Sequence, residues 1–317
     1  MHDPTYRQTL SHSWKLVWHH KSTWALGFLA LFLGQFGLSN FLGQLIAKFL
    51  SPEKSWWPSS WGVLQITSGE DWFWLSWGGV VILGIILFIA IIASCAQGAI
   101  MATAIHWYNT HLILNLKTAW HQGVKRWHSI LAINILEKLF LAIILAVTVM
   151  VLEARPLTWG GLLVDILTVG LALLAALIVS VTAIYALGYV ILERRNVIES
   201  VGSGWHLLRR HLLASLEISL ILLAYNLVLF IVVIAGTSIV LMPAVLLVTI
   251  AGFSGYAQAV IGTAAVAYLI LFFIFVAVTG AVFNAFTISA WMYAFMKMEH
   301  EGVVSRIIHW GRKFLKV

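Results

Sequence analysis

Three stretches decide the fold of this chain: Leu10-Ser-His-Ser-Trp14-Lys-Leu-Val-Trp18-His-His-Lys21, Leu116-Lys-Thr-Ala-Trp120-His-Gln-Gly-Val-Lys-Arg-Trp127 and Val201-Gly-Ser-Gly-Trp205-His-Leu-Leu-Arg-Arg-His211. Each stretch is basic and contains tryptophan and histidine. When Trp14, Trp120 and Trp205 are aligned, a long apolar segment follows all three without a gap. We call the stretches the first, second and third elbow. Their pattern predicts amphipathic helices that lie at a membrane interface and lead into membrane spans.

The composition is that of an integral membrane protein. Hydrophobic residues make up 61% of the 317 residues and charged residues only 10%, whereas soluble domains are about half apolar and about a quarter charged. Several apolar runs exceed the roughly 20 helical residues that cross a hydrocarbon core of about 30 Å. We therefore predict an all-α, polytopic membrane helical bundle of about six transmembrane helices, at 23–50, 77–105, 129–152, 160–192, 212–242 and 259–296.

The elbows divide the chain into repeated units. We predict a single integral membrane domain over 1–317, made of three elbow-plus-hairpin units at about 3–105, 112–192 and 196–298, with a basic tail at 299–317. Pro243 is predicted to break the fifth span, and the apolar residues 244–250 would then form a re-entrant or interfacial piece. A seventh crossing there would move the basic tail to the other side, so we predict six.

Basic residues indicate the orientation. Fifteen of the 19 lysine and arginine residues lie on the side of the elbows, and so do all 12 histidines. The excess of Lys and Arg in cytoplasmic segments of membrane proteins places both termini in the cytoplasm. We predict a multi-pass protein of the bacterial inner membrane.

Each elbow is predicted to present an apolar stripe on one face and cations on another. The stripes are Leu10, Trp14, Val17 and Trp18; Leu116, Trp120, Val124 and Trp127; and Ile198, Val201, Trp205, Leu208 and Leu212. We expect the bilayer and its anionic headgroups to be the partners of these helices, with contacts at Lys15, Lys21, Lys125, Arg126, Arg209 and Arg210. The alternative is that an elbow extends a span and packs on neighbouring spans. Asn196 and Glu199 are predicted to form a capping box at the start of the third elbow.

Polar and ionisable residues inside predicted spans form a candidate intramembrane polar site, because such residues are costly in lipid. They are Asn134, Glu137, Lys138 and Glu217. One interpretation is a proton or ion relay or a polar substrate groove. The other is hydrogen bonding and ion pairing between helices that fixes the register of the bundle.

The sequence contains no motif that points to catalysis or to a cofactor. We find no GxxxxGK[ST] phosphate loop, no nucleophile elbow and no HExxH. The histidine spacings do not match a helical metal site, and the single cysteine, Cys95, lies in an apolar run. We predict no enzyme activity, no cofactor, no metal and no nucleic-acid partner.

Several segments resemble a known family of bacterial membrane proteins. These are Tyr189-Val-Ile-Leu-Glu193, Asn196-Val-Ile-Glu-Ser-Val201 and Trp205-His-Leu-Leu-Arg-Arg210, together with the start of the chain over 9–21. They resemble the repeated signature of the six-span glycerophosphodiester phosphodiesterase membrane domain and of related uncharacterised families. The resemblance covers nearly the whole chain and implies the six-span fold. Some members carry a catalytic barrel that this sequence does not contain, so the phosphodiesterase activity is not carried over.

Three hypotheses for function follow. The leading one is a non-catalytic inner-membrane protein that organises lipid or a membrane protein partner through its elbows. The second is a transporter or channel that uses Glu137 and Lys138. The third is a membrane subunit of an enzyme encoded elsewhere.

Overall fold

The computed structural model describes residues 5–33, 69–112, 114–153, 159–254 and 257–300. Within these residues the chain forms eight helices and no strand. They are α1 (Thr5–His19), α2 (Ser22–Leu31), α3 (Gly69–Thr110), α4 (Leu116–Glu153), α5 (Trp159–Leu192), α6 (Val197–Arg210), α7 (Leu212–Ser254) and α8 (Ala257–His300).

Five of these helices are long and apolar enough to cross a membrane. The candidate spans are Leu75–Thr110, Leu116–Leu152, Leu163–Leu192, Leu212–Ile239 and Val266–His300. They correspond to the second to sixth predicted spans and define a multi-pass helical membrane protein. The predicted first span begins with α2, and its part beyond Leu33 lies outside the described residues. The other residues of 34–68, Arg155 and the tail beyond His300 also lie outside them.

The core of the bundle is formed by α3, α5 and α8, each of which contacts the other two. Their buried side chains are concentrated toward the C-terminal end of each helix, at about 93–105, 180–190 and 281–298. These ends lie beside the elbows and their basic residues, so we call this part of the molecule the basic end. In the other half of α3, large side chains from Trp72 to Phe88 are mostly exposed, as expected for surfaces that face lipid.

Each elbow packs against one of the three core helices. The first elbow, in α1, contacts α8; the second, at the start of α4, contacts α3; the third, in α6, contacts α5. Two glycines allow close approaches between an elbow and its core helix. A Cβ added to Gly123 would lie 2.0 Å from the carbonyl oxygen of Cys95, and one added to Gly204 would lie 2.8 Å from that of Thr182. Small residues of this kind let membrane helices approach backbone to backbone.

The second elbow differs from the prediction, because it is not a separate helix. The helix α4 continues from Leu116 to Glu153 without a break, which is the alternative of an extended span. The helix α1 of the first elbow ends at His19. At the break, Thr23 donates to the carbonyl of His20 through both its amide and its Oγ1, and Trp24 Nε1 donates to the carbonyl of Val17. Side chains thus help to satisfy the carbonyls at the helix end. The third elbow ends at His211, directly before α7.

The prediction that Pro243 breaks the fifth span is wrong. The helix α7 passes through Pro243 and continues to Ser254. A proline removes one helical hydrogen bond and clashes with the carbonyl four residues earlier. Membrane helices tolerate this, because the remaining backbone groups keep their helical partners where no water competes for them.

The helix α6 starts at the predicted position, but the predicted hydrogen bonds of its N-cap are not formed. Asn196 is the N-cap residue, with an extended backbone at φ −67° and ψ 160°. Its side chain makes no capping hydrogen bond, so the predicted capping box is not formed. The cap carbonyl instead accepts the first helical bond from the amide of Ser200, at 2.9 Å.

Candidate functional sites

The buried face of each elbow only partly coincides with the predicted apolar stripe, since Val17 and Leu208 are the two stripe residues that are fully buried. In α1 the buried residues are Thr9, Ser13, Leu16 and Val17; in the second elbow they are Ala119 and Gly123; in α6 they are Ser200, Gly204, Leu207 and Leu208. In each elbow the residue just before the aligned tryptophan is small and buried. The elbows therefore pack on the bundle mainly through small side chains, which the hydrophobic pattern did not single out.

The predicted stripe lies largely on the outside of the molecule. Trp14 is 42% exposed, Trp18 54%, Trp205 42% and Ile198 87%. The rings of Trp14 and Trp18 stack on each other, with centroids 5.3 Å apart. Trp120 is only partly exposed. The exposed residues of the stripe present aromatic and aliphatic surface, whereas Leu10, Trp120 and Val201 pack against the core.

The predicted headgroup contacts are on the surface of the basic end. Lys15, Lys21, Lys125, Arg209 and Arg210 are exposed, and Arg126 is half-buried. The guanidinium of Arg209 lies 5.5 Å from the ring centroid of Trp205. Such a cation–π contact holds the charge beside the aromatic face. In the third elbow, cation and tryptophan thus form one outward surface.

Three of the four candidate intramembrane residues lie on one helix and connect it to its neighbours. Asn134 is buried, and its amide donates to Gln97 Oε1 at 2.9 Å and to the carbonyl of Ile130 at 2.8 Å. Lys138 Nζ donates to the carbonyl of Leu33, just after α2. Glu137, between them, is buried. These bonds tie α4 to α3 and to the end of α2.

Glu217 belongs to another part of the bundle. It lies half-buried on α7, whose one extensive contact among the described helices is with α8. The two serines beside it bond to protein groups. Ser215 Oγ lies 2.7 Å from the hydroxyl of Tyr185, and Ser219 donates to the carbonyl of Ser215 at 2.7 Å. The structure does not place Glu217 with the α4 residues.

Histidine and aromatic rings cluster where α1 meets α3 and α8. The His12 ring centroid lies 4.7 Å from that of Tyr293, 5.6 Å from His111 and 5.9 Å from Trp107. His12 Nε2 and Trp107 Nε1 are buried and make no hydrogen bond within the described residues. Burial lowers the pKa of His12, and the nearby His111 and Lys15 lower it further. His12 is therefore held neutral in the folded protein more strongly than a free histidine.

A polar cleft of about 640 Å³ opens at the basic end between α5, α6 and α8. Sequence reasoning did not identify it, because its walls come from two segments that are far apart in the sequence, 189–206 and the end of α8. Its lining residues are Tyr189, Arg195, Glu199, Gly202, Ser203, His206 and Glu299. The one signal in the sequence was the resemblance, whose quoted motifs run from Tyr189 through the third elbow. The cleft carries both carboxylates and cationic side chains, so it can bind a ligand that bears both charges.

Neither a metal site nor a known relative adds a further candidate site. Among the described residues, no group of three or more His, Cys, Asp or Glu side chains is arranged to hold a metal ion. No known family model, curated protein or solved structure matches the chain. The resemblance drawn from the motifs stays a prediction, and the class defined by the fold is that of a multi-pass helical membrane protein.

Proposed function

We propose that this is a non-catalytic protein of the bacterial inner membrane that organises anionic lipid, or a membrane partner, through its three elbows. Both termini lie in the cytoplasm in this proposal. One observation carries it: the elbows bury small residues against the bundle and leave tryptophan and basic side chains on the outside. Tryptophan is enriched at the headgroup layer of membranes, because its apolar ring can contact lipid while its N–H group contacts water.

The packing of the elbows supports a three-unit architecture. Each elbow contacts the last helix of another unit: α1 contacts α8, the second elbow contacts α3, and α6 contacts α5. The two helices that follow each elbow contact each other, as in the pairs α2 and α3, α4 and α5, and α7 and α8. We therefore propose three elbow-plus-hairpin units in a closed ring with six spans, which repeats the lipid-facing surface three times.

The electrostatic part of the proposal is testable with lipid titrations. Each Lys or Arg near an anionic surface contributes about 1 kcal/mol of attraction. In the purified protein, added phosphatidylglycerol should raise the midpoint of thermal unfolding more than phosphatidylcholine does. A variant with Lys125→Gln, Arg126→Gln, Arg209→Gln and Arg210→Gln should lose most of that difference.

A charge-conserving variant is the matched control. Lys125→Arg, Arg126→Lys, Arg209→Lys and Arg210→Lys change the side chains but keep every charge, and this protein should respond to phosphatidylglycerol like the wild type. If the glutamine variant responds as strongly as the control, the elbows do not recognise anionic lipid and the proposal is wrong.

The contacts of the intramembrane residues favour a structural role over transport. Asn134 and Lys138 donate to groups on neighbouring helices, which fixes the position of α4. Hydrogen bonds of this kind between membrane helices contribute about 1 kcal/mol each. We expect proteoliposomes to show no proton flux above that of empty liposomes under a pH gradient. A flux that the Glu137→Gln variant abolishes would establish the transporter hypothesis instead.

A further inference from the structure

The cleft between α5, α6 and α8 lies at the C-terminal ends of two candidate spans, Leu163–Leu192 and Val266–His300. Tyr189 is in the last turn of α5, and Glu299 is in the last turn of α8. The third wall is α6, whose outer face carries Trp205. A group bound here would sit beside the headgroup layer that we propose for the elbows.

The floor of the cleft is held by protein contacts that leave groups available to a ligand. The hydroxyl of Tyr189 donates to Glu299 Oε2 at 2.6 Å. The guanidinium of Arg195 lies 5.3 Å from the Tyr189 ring centroid, pairs through Nε with Glu193 and donates through Nη1 to Ser203. An arginine has five N–H donors. The two on Nη2 are therefore not used by these bonds.

The rim of the cleft is formed by one face of α6. Glu199, Gly202 and His206 follow at helical spacing, so they share that face. Glu199 and His206 are exposed. A Cβ added to Gly202 would meet no atom within 4 Å. The glycine therefore leaves open space at the centre of the rim.

We propose that this cleft binds a zwitterionic phosphoethanolamine group. The carboxylates of Glu199 and Glu299 suit an ammonium, and the guanidinium of Arg195 suits a phosphate, because charge-assisted hydrogen bonds to such groups are the strong ones. The imidazole of His206 adds a ring N–H donor on the rim. A cleft of this volume is within the range of small-molecule sites, about 300–1,000 Å³. The proposal rests on the proposed interfacial position of the elbows. It adds a specific site for a neutral zwitterion to the general attraction for anionic lipid.

The open space at Gly202 provides a variant that blocks the site without disturbing the fold. Gly202→Leu places a side chain in the cleft, and leucine is a better helix former than glycine. Gly202→Ala fills less of the space. Gly170→Leu is the matched control, because Gly170 is an exposed position of α5 that is also open and lies away from the cleft.

The experiment measures binding of three probes to purified protein by calorimetry. They are dihexanoyl phosphatidylethanolamine, dihexanoyl phosphatidylglycerol and free phosphoethanolamine. We expect saturable binding of the phosphatidylethanolamine to the wild type and to Gly170→Leu, and loss of that binding in Gly202→Leu. Glu199→Gln should weaken it about tenfold, because it removes a charged partner of the ammonium, and should leave phosphatidylglycerol affinity unchanged.

The probes separate the sources of the ligand and separate this proposal from the previous one. If free phosphoethanolamine binds as well as the lipid does, the ligand is a soluble ester. If only the lipid binds, the ligand is a membrane headgroup. Either result supports the proposed site. Equal binding by wild type and Gly202→Leu, or no binding by either, would overturn it. The phosphatidylglycerol response of the elbow variants does not depend on Gly202, so either proposal can fail alone.

Discussion

Replacing Gly123 with alanine places a methyl group against the backbone of α3. The added carbon would lie 2.0 Å from the carbonyl oxygen of Cys95 and 3.0 Å from the amide nitrogen of Ala99. Ordinary van der Waals contact begins at 3.4 Å, so the second elbow must move away from α3 by more than 1 Å. Neither contact atom belongs to a flexible side chain. The elbow or the helix must therefore shift as a whole.

The expected cost is at the upper end for overpacking, about 3 kcal/mol. Because each kcal/mol shifts the unfolding midpoint of a medium-sized protein by about 2–4 °C, we expect a loss of roughly 6–12 °C. The matched control is Gly84→Ala on the same helix pair, where an added Cβ meets nothing within 4 Å. Alanine there should be neutral or should stabilise the helix by up to about 1 kcal/mol.

The assay is thermal unfolding of the purified variants, followed by circular dichroism at 222 nm in one detergent and lipid mixture. Gly204→Ala, with 2.8 Å to the Thr182 carbonyl, should fall between the other two. The order of the three midpoints is the result to compare. If Gly123→Ala unfolds at the same temperature as Gly84→Ala, the second elbow does not dock on α3 as described.

Three further predictions concern single residues. Leu208→Ala should lower the free energy of unfolding by about 2–5 kcal/mol, because this side chain is only 3% exposed. Ile198→Ala, on the outward face, should change it by less than about 0.5 kcal/mol. Equal effects of the two variants would contradict the assignment of the buried and outward faces. Lys138→Met should lower stability by about 1–3 kcal/mol through loss of the bond to the Leu33 carbonyl, measured by the same unfolding assay, and an unchanged midpoint would show that the bond is unimportant. Burial lowers the pKa of His12 in the folded protein, so below about pH 6.5 the unfolded chain binds the proton more readily. The contribution of His12 to the free energy of unfolding should therefore be complete above that pH and be lost as the pH falls through the folded pKa. In unfolding measurements from pH 5 to 8, His12→Gln should reduce this dependence of stability on pH. A slope unchanged in His12→Gln would assign it to other groups.

The spans were predictable because they depend on local chemistry. Runs of apolar residues predict membrane helices whatever packs beside them, and five of the six predicted spans correspond to long apolar helices. Asn196 was recognised as the start of the third elbow from its residue type and its position. The end of the fifth span was wrong, because a proline in a membrane helix does not have to terminate it.

The buried face of each elbow could not be read from hydrophobicity. A stripe of Trp, Ile and Leu is the apolar face in water, but in a membrane the same stripe can face lipid. Small residues such as Ser13, Ala119 and Gly204 then mark the protein contact, because they permit close backbone approach. A small residue precedes each aligned tryptophan in the sequence. It indicates a protein contact only if the apolar stripe faces lipid and not the protein core.

The candidate sites depend on pairings between distant residues, which one sequence does not specify. Asn134 bonds to Gln97, 37 residues earlier, and Tyr189 bonds to Glu299, 110 residues later. Residue type predicted that Asn134 needs a partner in a dry interior. It did not predict which helix supplies the partner. The cleft was missed for the same reason, since α5 and α6 are neighbours in sequence but α8 is not.

The central claim is that the third elbow lies at the membrane interface, with the face that carries Ile198 toward lipid and the face that carries His206 toward water. The most direct measurement is spin-label accessibility in liposomes, with a label at Ile198→Cys or at His206→Cys in a Cys95→Ala background, where no other cysteine remains. We predict that molecular oxygen, which concentrates in lipid, relaxes the label at 198 more strongly, and that a water-soluble nickel chelate relaxes the label at 206 more strongly. If the nickel chelate reaches both positions equally, the elbow is a cytoplasmic helix and the account is wrong.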